Sequence, residues 1–71
     1  MIDTALESRV MVALKRNPHL PGRKLDCETT EGKVVLRGVV GTYYQKQMAQ
    51  ETLRTIEGVH QIENLLQVHW S

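Results

Sequence analysis

Few side chains in this 71-residue sequence can do covalent chemistry: one cysteine, Cys27, and three histidines, His19, His60 and His69. Nucleophilic catalysis needs a thiol or hydroxyl beside a base, and these four stand at no recognised spacing for it. Metal chemistry is equally thin, because no two of them lie within four residues of each other and separate strands would have to supply every ligand. Cys27 falls on an alternating strand position, where a small apolar thiol fills core rather than attacks a substrate. No catalytic residue, cofactor or metal is therefore expected, and the histidines receive no role. One thiol fits either redox compartment.

Binding chemistry is better represented. Nine basic against eight acidic residues give a formal net charge of +1, which predicts no long-range attraction to nucleic acid or anionic membrane, so electrostatic binding must be local. Arg9, Lys15, Arg16, Arg23 and Lys24 gather along the outside of the expected first helix and the loop after it. They are either a solvated helix face or a patch for anionic lipid headgroups, where each cation near the surface adds roughly 1 kcal/mol. Tyr43 and Trp70 each combine an apolar body with a polar tip, suited to an interface or to the rim of a core.

The elements that must carry these residues follow from periodicity. A hydrophobic content of 41% with 24% charged residues fits one small domain over residues 1–71, with association as a plausible source of extra stability. Asp3 or Thr4 caps a helix over about 4–16, with Leu6, Val10, Ala13 and Leu14 on one face and Pro18 ending it. Leu20 is the inward anchor of the loop that follows. Leu25, Cys27 and Thr29 alternate with polar residues, and so do Val34, Leu36, Gly38 and Val40 with an outward set, predicting a hairpin over about 25–40 turned at Glu31-Gly32. Gly38 in the inward row implies a helix backbone crossing closely above it.

Thr42 and Gln45 form a capping box for a second helix over about 43–57, with Ala49, Leu53 and Ile56 buried and Gly58 as the left-handed exit. A last strand over about 59–70 places Ile62, Asn64, Leu66, Val68 and Trp70 on one face. The fold class is α+β: a two-layer sandwich of αββαβ order, two helices on one face of a three-stranded mixed sheet with 33–40 in the centre. Asn64 in an apolar row reads as a buried amide tying a loop or helix end, or else as a functional group. The other sheet face stays wet, and there Val35, Arg37, Val39 and Leu65 form a candidate surface for a sister domain or a second copy. Gly38-Val-Val-Gly41 formally matches the GxxG loop with which KH modules clamp RNA backbone, although in those modules the loop joins two helices; no nucleic acid is expected.

The sequence is most specific in Leu6, Val10, Ala13-Leu14, Asn17-Pro and Leu20, then Gly32-x-Val-x-Leu-x-Gly-x-Val, then Ala49 and Gly58-Val59-x-x-Ile-x-Asn-x-Leu. In these positions it resembles the BON domain, a module first described in an osmotically induced periplasmic protein and in nodulation-related proteins. The resemblance covers nearly the whole chain. It implies structural roles for Gly32, Gly38, Gly58 and Asn64, and a non-catalytic module of the bacterial envelope that binds phospholipid membrane surfaces or other envelope components. Such domains often occur in tandem, whereas here there is one copy. The first residues lack the basic start and apolar run of a signal peptide, and no run approaches the length of a spanning helix. A cytoplasmic chain is expected if this is the whole protein, and a periplasmic one if it is a domain of a longer exported protein.

Overall fold

Residues 4–20 and 24–69 are described by a computed structural model. Helix α1 spans Thr4–Arg16 and buries Leu6, Val10 and Leu14 of the stripe its periodicity predicts, while Ala13 is only partly buried. Thr4 already lies inside the helix, and Asp3, the other expected cap, is outside the described residues. Beyond Arg16 the chain turns, with Leu20 N–H donating to the Asn17 carbonyl at 3.2 Å and the Leu20 side chain buried.

Strands β1 (Leu25–Thr30) and β2 (Lys33–Val40) pair antiparallel from Leu25 opposite Gly38 to Thr30 opposite Lys33. Glu31 and Gly32 between them take φ of 50° and 84°. Positive φ at both central residues is what a type I′ hairpin turn requires, and its twist matches that of the strands it joins. Alternation sends Leu25, Cys27, Thr29, Val34, Leu36 and Val40 into the core. Gly38 belongs to this row, but the reason for a glycine is not the expected one. Its φ is +136°, and a β-carbon there would collide with the carbonyl oxygen of Lys24 on the neighbouring chain entering β1, not with a helix.

Helix α2 (Tyr43–Arg54) starts at Thr42, whose hydroxyl accepts from Gln45 N–H at 3.0 Å. The Gln45 side chain reaches back to Gly41 N–H at 2.7 Å, one residue before the usual capping-box partner. Ala49 and Leu53 are buried, whereas Ile56, expected beside them, is only partly buried and lies beyond the helix. The helix stops at Arg54, short of the expected 57, because Ile56 N–H bonds to Leu53 three residues back and Thr55 Oγ1 donates to the Thr52 carbonyl. Gly58, at φ +99°, then makes the left-handed exit from this tightened turn, against Leu6 and Arg9 of α1.

The last strand is shorter than the expected 59–70 and broken into β3 (Gln61–Asn64) and β4 (Gln67–Val68), both parallel to β2. Leu36 faces Asn64 before the break and Val39 faces Gln67 after it, so no residue is inserted and the register survives. The ladder lapses at Leu65 and Leu66, across from Arg37 and Gly38, where the Asn64 side chain accepts Leu66 N–H at 3.2 Å. Strand order is β1-β2-β3 with β4 also on β2, so β2 is central as its pattern predicts, and both helices cover one face.

Successive elements run up and down one axis of a body measuring 37 × 20 × 18 Å. One end gathers the end of α1, the start of β1, the end of β2, the start of α2 and the end of β4. A bond of 2.7 Å from Gln45 Nε2 to the His19 carbonyl ties α2 to the α1–β1 loop there. The opposite end holds the hairpin turn and the α2–β3 loop, joined by His60 N–H donating to Gly32 at 2.8 Å.

Candidate binding surface

That up-and-down course sorts the charges. The described segments meeting at the first end, 15–20, 24–26, 38–47 and 65–69, contain Lys15, Arg16, Lys24 and Lys46 against one carboxylate, Asp26. The segments 4–9, 28–33 and 51–63 of the other half hold Glu7, Glu28, Glu31, Glu51, Glu57 and Glu63 against Arg9, Lys33 and Arg54. A net charge of +1 thus conceals a cationic end and an acidic half. Among the described residues the ion pairs are Lys33–Glu63 at 3.9 Å, Arg37–Glu28 at 3.4 Å and Arg54–Glu51 at 3.2 Å. Lys15, Arg16, Lys24 and Lys46 enter none of them.

Five residues are expected to form one cluster, and the structure divides them. Lys15, Arg16 and Lys24 share the cationic end, while Arg9 lies seven residues before Arg16, about 10 Å down the helix axis, with its guanidinium beside Gly58. Arg23 and Trp70 lie outside the described residues. Sequence reasoning missed Lys46, because a cation in the first turn of α2 is distant in the chain from α1; the capping box that fixes α2 against the loop is the signal that could have found it.

On the open sheet face Arg37, Val39, Leu65 and Gln67 surround a shallow hollow of about 410 Å³ beside Gly38. Val39 and Leu65 are exposed. Val35 does not line it: half-buried, it sits between Glu28 on β1 and Glu63 on β3. The Gly38–Gly41 string offers no KH-like clamp, since Val39 and Val40 are strand residues paired with Gln67 and Val68, and Val40 is buried.

Asn64 is placed by β3 under α2, where Nδ2 donates to the Lys46 carbonyl at 2.9 Å and approaches Gln50 Oε1 at 3.3 Å. With Oδ1 taken by Leu66, its hydrogen-bonding is spent on the fold. Cys27 is buried, and desolvation, reinforced by the carboxylates of Glu7 and Asp26, pushes its thiol up to about 11, so it is protonated at neutral pH. His19, His60 and His69 are exposed and belong to different segments, and no group of three or more His, Cys, Asp and Glu among the described residues is arranged to hold a metal ion. Nor is any helix among them long and apolar enough to cross a membrane.

A family model described as BON domain matches residues 2–69. Osmotically-inducible protein Y of Escherichia coli (strain K12) is 32% identical over 62 residues, which is 87% of this chain and 31% of that protein. Among solved structures, the C-terminal domain of CdsD, a structural protein of the type III secretion system of Chlamydia trachomatis, matches with a TM-score of 0.78 and 15% identity over 97% of this chain and 34% of that one. At that identity the likeness is one of fold. The chain spans about a third of the length of each.

Proposed function

The chain belongs to the BON domain family, and on that premise we propose that it is a non-catalytic module of the cell envelope that binds anionic phospholipid surfaces through its cationic end. The observation that carries this reading is the set of cations Lys15, Arg16, Lys24 and Lys46, which enter no ion pair among the described residues, at an end whose described segments hold one carboxylate, Asp26. A protonated, buried thiol and scattered histidines leave no evident reacting group, which supports binding over catalysis. Envelope location and a part in osmotic stress are proposed from the family and from the name of the Escherichia coli relative.

Cosedimentation with phosphatidylglycerol vesicles at low salt tests it, with phosphatidylcholine vesicles as reference. At roughly 1 kcal/mol per surface cation, Lys15→Gln with Lys24→Gln should weaken binding by about tenfold or more. No pelleting above the phosphatidylcholine level would sink the proposal. The hollow bordered by Val39 and Leu65 supports a second reading, a protein contact on the open sheet face with a sister domain or another copy.

A further inference from the structure

The most exposed large apolar side chains among the described residues are Tyr43 at 67% and Tyr44 at 64%, adjacent in the first turn of α2. Neither supplies the cap, which belongs to Thr42 and Gln45. Both stand at the cationic end, because the Gln45 side chain bonds the carbonyl of His19 in the loop between Arg16 and Lys24. Tyr44 borders a mainly apolar hollow of about 240 Å³ with Gln47, Met48 and Glu51. Cations and amphipathic aromatics therefore share one end of the molecule.

We propose that the domain stands end-on to an anionic bilayer, with Tyr43 and Tyr44 entering the headgroup layer as anchors while Lys15, Arg16, Lys24 and Lys46 meet the phosphates. This rests on the lipid reading above and gives it an orientation. Tyrosine suits that depth because its ring partitions from water and its hydroxyl stays hydrated. Charge placement favours the pose. An eight-residue strand is about 26 Å long, so the carboxylates at the hairpin turn and the α2–β3 loop stand well beyond the roughly 8 Å over which physiological salt screens a charge, and among the described residues Asp26, two residues from Lys24, is the one carboxylate close to this end. Lying along α1 instead would bring Arg9 to the surface, with Glu7 two residues from it and Gly58 and the acidic α2–β3 loop alongside. The end-on pose leaves Arg9 about 10 Å behind Arg16, too far to contribute at that ionic strength.

Binding isotherms on vesicles of phosphatidylglycerol and phosphatidylcholine distinguish the poses. Wild type is compared with Tyr43→Ser/Tyr44→Ser, Lys15→Gln/Lys24→Gln and Arg9→Gln, each first shown to keep the wild-type circular dichroism and urea midpoint. The tyrosine pair should lose roughly tenfold in partitioning with an unchanged salt slope, and the lysine pair should lose slope as well as affinity. At physiological ionic strength Arg9→Gln should bind as wild type. As a second readout, Tyr44→Trp in a Trp70→Phe background should show a blue-shifted emission on phosphatidylglycerol vesicles. If wild type binds but the tyrosine variant binds equally well, or Arg9→Gln at physiological ionic strength loses as much as the lysine pair, the end-on pose is overturned and the lipid reading stands. If wild type does not bind, both fall together.

Discussion

Cys27 shows how burial decides what a reactive residue type can do. Its thiol is raised from an ordinary 9.0 to about 11 by desolvation first and by the nearby carboxylates of Glu7 and Asp26 second. The sign of the consequence for stability is fixed by this. The unfolded chain releases the proton near 9 and the folded one near 11, so the full contribution is present below pH 9 and is lost as pH rises through 11. Two units correspond to roughly 2 to 3 kcal/mol. Urea midpoints measured from pH 8 to 11 should therefore fall more steeply for wild type than for Cys27→Ala, whose offset from the lost sulfur is independent of pH. Parallel curves would show that the thiol titrates normally. The alternation of Leu25, Cys27 and Thr29 already marked this residue as core, because a period of two needs only the sequence. Gly38 was legible only in part. Its place in an inward row declares a close approach, but the atom approached, the Lys24 carbonyl, follows from strand pairing that no local pattern contains.

Between elements, the most informative contact is Asn64, which joins β3 to α2 through the Lys46 carbonyl and closes its own strand break through Leu66 N–H. Replacing one member of a part-buried set of bonds leaves its partners unsatisfied, at about 1 to 3 kcal/mol. Asn64→Ala should lower stability by that amount and speed amide exchange at Leu66. Asn64→Asp should be no better, since a carboxylate keeps the acceptor for Leu66 but turns a second oxygen toward the Lys46 carbonyl. Full stability in Asn64→Asp would mean that the amide donor has no structural weight. An isolated polar residue in the Ile62, Leu66, Val68 row announced such a tie without naming its partner. The breaks were harder to see. The end of α2 at Arg54 goes with Thr52 and Thr55 hydroxyls bonding back to helix carbonyls, and the lapse at Leu65–Leu66 goes with the Asn64 side chain capturing Leu66 N–H opposite Gly38, whose φ is positive. Hydrophobic period carries straight through both.

At the scale of the molecule, the order αββαβ and the central place of β2 follow from periodicity and turn residues, whereas the gathering of charge does not. Lys46 joins Lys15 and Lys24 only because alternate elements reverse direction, while Arg9 is carried away from them by the rise of α1 itself. The open sheet face raises a question of area. A stable protein contact buries about 800 Å² on each partner, roughly a sixth of this chain's 4888 Å² surface. Val39 and Leu65 supply little of that, and the face around them is divided by the Arg37–Glu28 and Lys33–Glu63 pairs. Self-association through this face should therefore be weak, with a monomer at micromolar concentration and dimer only toward millimolar. Two contacts remain distinguishable by chemistry. A dimer of open faces should vanish in Val39→Glu and persist in salt, because its attraction is apolar. A head-to-tail contact between the cationic end and the acidic half of another copy should ignore Val39→Glu and dissolve as salt is raised, since exposed charges are screened. Sedimentation equilibrium over a concentration series at two ionic strengths, wild type against Val39→Glu, separates them, and a wild type that stays monomeric at millimolar concentration in both salts would leave neither face a role in self-association.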